Sequence, residues 1–308
     1  MIKMMKRTLS TALGAAALAA LPLSAPAQAP APPTAPAAGT ATLRYKFTPG
    51  QVHRYKMTTN MVGTMLTGQS GAGFPLNTAT QIIMKQTVKD VRASDGAATI
   101  ETEIESMRLA MNGKEQPMPD AQKATISKPF TQVMLPTGKV LSMKMPDMPG
   151  AGMPGMDFSK SFSSLSVAFP AGPLKAGETW KSAISAPGME GTNLTYDSAL
   201  TSLTGDGDAA RANIDQKIGG TLGMTLSQGM PMGMTMAGTV NGTGTMVFNT
   251  AQGVVENLSN DSSIDMTMTF KAKPGQAPPP GMPTGMKMQM RQKTTMELLP
   301  DVAKAPAK

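Results

Sequence analysis

The stretch Ala210-Arg211-Ala212-Asn213-Ile214-Asp215-Gln216-Lys217-Ile218-Gly219-Gly220-Thr221-Leu222-Gly223-Met224-Thr225-Leu226 decides the fold. Every even position except Gln216 is small or apolar, whereas the odd positions run through Arg211, Asn213, Asp215, Lys217, Thr221 and Thr225. A pleated strand points successive side chains to opposite faces, so this rhythm predicts a half-buried strand, bent at Gly219-Gly220. Just before it, Gly205-Asp206-Gly207-Asp208 carries residues that tolerate positive φ, the signature of a hairpin turn. Its partner strand is expected over about 192–204, with Leu194, Tyr196 and Leu200 on one face.

The same rhythm recurs outward with methionine. Ile264, Met266, Met268 and Phe270 alternate with Asp265, Thr267, Thr269 and Lys271. Met286, Met288, Met290, Met296 and Leu298 alternate with Lys287, Gln289, Arg291, Lys293, Thr295 and Glu297. In the first half, 80–92 and 97–111 read as a hairpin around Ser94-Asp95-Gly96. Ile100 and Ile104 are even but Met107, Leu109 and Met111 are odd, so a bulge is expected near Glu105-Ser106, because a one-residue slip exchanges the faces. Helix signals are few. Phe158, Phe162, Leu165 and Phe169 fit one face of a short helix ending before Pro170, and 119–127 fits a second turn of helix. Gly- and Pro-dense breaks fall at 68–79, 145–157 and 273–285.

Two stretches resemble each other. Phe47-Thr48-Pro49-Gly50-Gln51-Val52-His53-Arg54-Tyr55-Lys56 parallels Pro173-Leu174-Lys175-Ala176-Gly177-Glu178-Thr179-Trp180-Lys181, and Gly138-Lys139-Val140-Leu141-Ser142 parallels Gly253-Val254-Val255-Glu256-Asn257. The expected fold is therefore mainly β: antiparallel curved sheets of half-open barrel type, internally duplicated, with one or two short helices. Residues 42–157 form the first β repeat and 158–300 the second. The Ala/Pro-rich stretch 28–41 and the tail 301–308 read as disordered, since neither can bury enough surface to offset the entropy of ordering. Residues 1–27 read as a secretory signal peptide: basic Lys3, Lys6 and Arg7, an apolar run from Leu9 to Leu23, then Ala25-Pro26-Ala27. No transmembrane segment is expected after its removal, which places the chain in the periplasm or outside the cell.

The turn and strand motifs resemble a domain-of-unknown-function family of exported bacterial proteins. They are Arg44-Tyr45-Lys46, Phe47-Thr48-Pro49-Gly50-Gln51, the second Arg54-Tyr55-Lys56, Lys175 to Trp180 and the Thr/Met strands at 264–270 and 286–296. That resemblance spans about 43–299. By analogy it implies an architecture similar to the half-open barrels that carry lipoproteins in the periplasm, and it assigns no catalytic residue.

Composition narrows the chemistry. With no cysteine there is no disulfide, thiolate site or cysteine nucleophile, and with one histidine, His53, no multi-histidine metal site. There is no Gly-x-Ser-x-Gly elbow, phosphate loop or His-Glu-x-x-His helix, so no enzyme and no cofactor is expected. His53 reads as a strand histidine in phase with Tyr55 and Met57, Glu101, Glu103 and Glu105 as a solvated strand face, and Asp206 and Asp208 as turn residues. The formal charge of +8 includes Lys3, Lys6 and Arg7, and only 4% of residues are aromatic, so nucleic acid is not an expected partner.

Methionine, at 30 residues, is the unusual feature. A sheet face lined by flexible thioethers accepts apolar molecules of varied shape. The expected function is a monomeric, non-enzymatic binding protein holding a lipid or other apolar ligand on Met266, Met268, Phe270, Met286, Met288, Met290, Ile218 and Leu222. The soft sulfur also suits Cu(I) or Ag(I). That alternative draws on Met145, Met148, Met153 and Met156, on Met230, Met232, Met234 and Met236, and on Met282 with Met286. A structural envelope protein without ligand is the third reading.

Overall fold

Alternation is realised as unusually long strands. The computed structural model describes residues 39–67, 72–118, 120–144, 167–184, 191–226, 232–272 and 285–300. The first half holds β1 (Thr40–Ala41), β2 (Val52–Thr67), β3 (Ala72–Val91), β4 (Ala98–Met111), β5 (Lys114–Gln116), helix α1 (Asp120–Ile126), β6 (Phe130–Met134) and β7 (Val140–Lys144). The second holds β8 (Leu174–Lys175), β9 (Thr179–Ile184), β10 (Asn193–Thr204), a 3-10 turn (Gly207–Ala209), β11 (Arg211–Leu226), β12 (Met232–Asn249), β13 (Val254–Ala272) and β14 (Gly285–Leu299). Strand β3 has 20 residues, β13 19 and β12 18. At about 3.3 Å per residue such strands are roughly 60 Å long, about three times the common length.

Strand β1 pairs with β8, and the remaining strands form one antiparallel sheet in the order β7-β6-β4-β3-β2-β14-β13-β12-β11-β10-β9, with β5 beside β4. This corrects the expected half-open barrel of duplicated curved sheets. The junction that overturns it is β14 against β2, a continuous ladder from Met286 opposite Thr67 to Leu299 opposite Arg54, which fuses both halves into one large open sheet. Closing that sheet would require its outer strands to pair, but β7 and β9, of five and six residues, have no ladder to each other. Nor does helix build a layer: among the described residues it is confined to the seven-residue α1 and the 3-10 turn. Of the helix expected around Phe158, Phe162 and Leu165, only 167–169 are described, and these are not helical.

Local readings have definite outcomes. The ladder of β3 with β4 steps from Ile83–Ser106 to Met84–Ile104, leaving Glu105 as the extra residue of a bulge where the phase change required one. Gly220 has φ +146°, and a Cβ there would overlap the Asn193 carbonyl oxygen, so this position needs glycine, although the ladders to β10 and β12 run through it without a register shift. The break expected at 68–79 is shorter, since β3 already begins at Ala72 and includes Pro75. Proline is tolerated there because the β3–β4 ladder ends at Thr78–Met111, leaving Pro75 paired only to Thr64 of β2. The signal stretch 1–27, the tether up to residue 38, 145–157 and the tail 301–308 lie outside the described residues, while Thr40 and Ala41 of the expected tether form β1.

The two resembling stretches share their hydrogen bonds. In Thr48–Gln51, the Gln51 N–H donates to Thr48 O and the Thr48 N–H to Gln51 Oε1. In Lys175–Glu178, the Glu178 N–H donates to Lys175 O and the Lys175 N–H to Glu178 Oε2. Gly50 (φ +83°) donates to Val88 O and Gly177 (φ +90°) to Leu200 O. Beyond these turns, Ala98, Ile100 and Thr102 of β4 match Ala212, Ile214 and Gln216 of β11, all buried.

The core lies at one end of the sheet. Leu43, Val167, Phe169 and Leu174 pack on Leu200, Ile214, Met246, Phe248 and Leu258. A smaller group, Val88, Ala98, Ile100 and Met134, adjoins Tyr45 and Phe47, and a third joins Tyr55, Ile82 and Met84 to Met57, Ile104, Met107 and Met296. Tyr45 stacks on Phe169 with centroids 5.4 Å apart and meets Phe248 edge-on at the same separation. The Arg44 guanidinium donates to the carbonyls of Leu43, Pro170 and Ala171, tying the two crossing segments together. The described residues thus form a packed base from which the long strands continue.

Candidate functional site

Register turns one sheet face into rows running across the strands. At the base, Ile214, Met246, Leu258, Met296, Met57, Ile82 and Met107 lie directly opposite one another on β11, β12, β13, β14, β2, β3 and β4. Two residues further along each strand the row is Gln216, Gly244, Asn260, Thr294, Thr59 and Thr80, a polar belt. The next row mixes Ile218, Gly242, Ser262, Gln292, Met61 and Thr78. Apolar character then returns: Val240, Ile264, Met290, Gly63 and Leu76, then Leu222, Gly238, Met266, Met288, Met65 and Phe74, then Met236, Met268 and Met286, and finally Met234 opposite Phe270.

All eight residues expected to line a binding face, Ile218, Leu222, Met266, Met268, Phe270, Met286, Met288 and Met290, therefore stand on one face of adjoining strands. Ile218 and Met290 are buried, and the other six are half-buried. None of the upper apolar residues belongs to the core groups at the base. Gly63 gives Met290 room, since a Cβ there would lie 2.8 Å from Met290 Cγ. Tyr196 stands beside Ile218 on β10, and burial pushes its phenol pKa up.

The polar belt has its own geometry. Thr59 and Thr294 hydroxyls are 3.2 Å apart, and Gln292 Nε2 donates to Thr294 Oγ1 at 3.1 Å. Gln216 Nε2 donates to Ser198 Oγ at 3.3 Å. The side-chain oxygens of Gln216 and Asn260 are buried yet accept no hydrogen bond. Between them in the row is Gly244, where a Cβ would overlap the Asn260 oxygen, so the absence of a side chain there makes the space for that oxygen.

The opposite face is hydrophilic. Lys181, Asp197, Lys217, Thr243, Asp261 and Lys293 form one row of it and line a cavity of about 670 Å³. No methionine lines this cavity, so it is not where the methionine reading places a ligand. A smaller cavity of about 80 Å³ at the base is bounded by Tyr45, Tyr55, Thr102, Phe130 and Gln132.

Other sequence candidates resolve into structural roles. Glu101, Glu103 and Glu105 pair with Lys89, Lys85 and Arg54 at 3.3, 3.1 and 2.6 Å. His53 is half-buried on β2, its ring 6.4 Å from that of Tyr55. Asp206 precedes the 3-10 turn. Met145, Met148, Met153, Met156, Met230 and Met282 lie outside the described residues, whereas Met234 and Met236 join the apolar face. Sequence reasoning missed the share of β2 and β3 in that face, although Met57, Met61 and Met65 at every fourth position of β2 signalled it. It also noted Gln216 only as an exception to the alternation, and Asn260 not at all.

No family model and no curated protein matches the chain. Among solved structures, one describing lipid–protein interactions in lipovitellin is similar at 11% identity and a TM-score of 0.42, covering 85% of this chain. The chain spans about a quarter of that protein, 26% of its length. OpdL and OpdQ of Pseudomonas aeruginosa match at 8% identity with TM-scores of 0.21 and 0.20, each covering 81% of this chain and 99% of theirs. Likenesses of this size fix neither topology nor ligand.

Proposed function

We propose that this chain is an exported, periplasmic or secreted, non-enzymatic binding protein that holds a lipid or other apolar molecule on the methionine-rich face of its open sheet. The observation that carries the reading is the continuation of that face beyond the core. Six strands at about 4.8 Å spacing and a run of about 20 Å from Ile264 to Phe270 make roughly 500 Å² of apolar sheet. An apolar face that continues beyond the core and stays partly open to solvent is the kind of surface that marks an interaction site. Half-buried methionines suit it, because an unbranched thioether adapts to a chain of undefined shape. The signal-like stretch 1–27 and the resemblance to exported bacterial proteins support the location. The test is native mass spectrometry of the protein purified from the compartment into which it is exported. An adduct of lipid mass that Met266→Lys/Met288→Lys abolishes supports the reading; a ligand-free mass together with no uptake of a polarity-sensitive apolar dye refutes it.

One observation favours a second reading, Cu(I) or Ag(I) binding by thioethers. Met266, Met288 and Met65 lie opposite one another on three adjacent strands, as do Met236, Met268 and Met286. Directly opposed Cβ atoms are about 5 Å apart, a gap that flexible sulfur ligands close around a soft ion. Calorimetric titration with Ag(I) separates the two, since a lipid carrier without such a site gives no saturable heat.

A further inference from the structure

The belt of Gln216 and Asn260 says what kind of apolar molecule the face would take. A polar row placed between an apolar base and an apolar upper face is a poor feature for a site binding plain hydrocarbon, because burying polar atoms without partners costs free energy. Here the cost is visible. Gln216 spends its amide N–H on Ser198, 3.3 Å away, and both its oxygen and that of Asn260 are buried without a donor. The two stand in one row with only Gly244 between them. Both leftover groups are carboxamide ends, so the missing partner is a neutral group that hydrogen-bonds to a primary amide, and a hydroxyl, donor and acceptor at once, fits either amide orientation. The cross-strand rows of this face contain no charged residue, which disfavours an ammonium, and offer no cation to a carboxylate or phosphate.

We infer that Gln216 and Asn260 form the head-group end of the site, and that its ligand is a single-chain amphiphile with a neutral, hydrogen-bond-donating head such as a hydroxyl. The tail runs from the belt along Ile264, Met266 and Met268 to Phe270. This rests on the proposed carrier function and adds the orientation and chemical class of the ligand.

The experiment compares two probes on the mature wild-type protein: a long-chain primary alcohol and its methyl ether, each displacing a polarity-sensitive apolar dye. Partition alone favours the ether, which lacks a donor. Preference for the alcohol by about fivefold, the worth of one net hydrogen bond, is the expected result. Gln216→Met and Asn260→Ala should each shrink that preference. Equal affinity for both probes in the wild type overturns the head-group assignment and leaves the carrier reading standing. Failure of both probes to displace a bound dye overturns the ligand class proposed here, whereas failure of the dye to bind at all, with a ligand-free native mass, overturns the carrier reading itself. Because the decisive comparison uses the wild type, it does not depend on either variant folding.

Discussion

Met246 and Met288 occupy the same sheet face, yet the architecture gives them different work. Met246, at 1% exposure, is packed in the base among Ile214, Phe248 and Leu258. Met288, four rows higher, is half-buried and outside every core group. Truncating Met246 to alanine removes a full side chain from close packing and leaves a cavity, a loss of about 3 kcal/mol. For a folded region of this size that lowers the melting temperature by roughly 6–12 °C. Met288→Ala removes apolar surface that is only partly withdrawn from water and opens no enclosed void, so it should cost about 1 kcal/mol or less. With saturating apolar ligand the order should change in one respect: the ligand-induced rise in melting temperature should persist in Met246→Ala and shrink in Met288→Ala, because only the second removes ligand contact. Differential scanning fluorimetry and urea denaturation, each with and without ligand, read both numbers. If Met288→Ala proves as costly as Met246→Ala in the free protein, the upper rows are core and the reasoning behind a binding face fails.

Gly138 and Gly177 both have positive φ, +86° and +90°, but a Cβ at Gly177 meets open space whereas one at Gly138 would overlap the Val167 carbonyl and press on Tyr45. Gly177→Ala should therefore cost about 1 kcal/mol and Gly138→Ala at least twice that in urea denaturation, and equal costs would refute the contact. The Arg92 side chain, with help from the Ala97 N–H, holds the Asp95 carboxyl down at about 2, against an ordinary 3.8. A depressed acid contributes stability above its unfolded pKa that is lost as pH falls through the folded one, so Asp95→Asn should flatten the fall in unfolding midpoint between about pH 4 and pH 2. Burial raises the phenol pKa of Tyr45 and Tyr55. Stability from these neutral phenols is present below about pH 10 and lost above it, so ultraviolet titration should show them ionising only as the protein unfolds. Ionisation of all three tyrosines near pH 10 in the folded protein would contradict their placement.

Period-two alternation made individual strands legible because it is a local consequence of one buried face. Strand β11, the bulge at Glu105 and the hairpin before Arg211 could all be read from neighbours in sequence. Sheet closure could not. Whether β7 meets β9, and whether β14 meets β2, depends on pairing between segments distant in sequence, and nothing in the alternation of Met286 to Leu298 names Arg54 to Thr67 as its partner. Pro75 misled for a related reason: proline forbids a strand only where its missing N–H is needed, and a strand that is locally an edge does not need it.

The site was legible in its parts and not in its order. Each methionine could be assigned to a face by parity, but rows exist only once registers are known. Register converts Gln216 from an irregularity in one strand into a member of a belt that also contains Asn260, Thr294 and Thr59. That conversion changes the physical question. A lone glutamine among apolar neighbours is a local cost, borne wherever a strand tolerates it. Polar residues on five of six strands in one row, with an apolar row below, a mixed row and then apolar rows above, and two buried amide ends left over, divide one face into zones of different solvation. Packing at the base accounts for the first apolar zone, through Ile214, Met246 and Leu258. The second zone has no such account within the described chain, and a molecule with one polar end and one long apolar one matches both the belt and the rows beyond it.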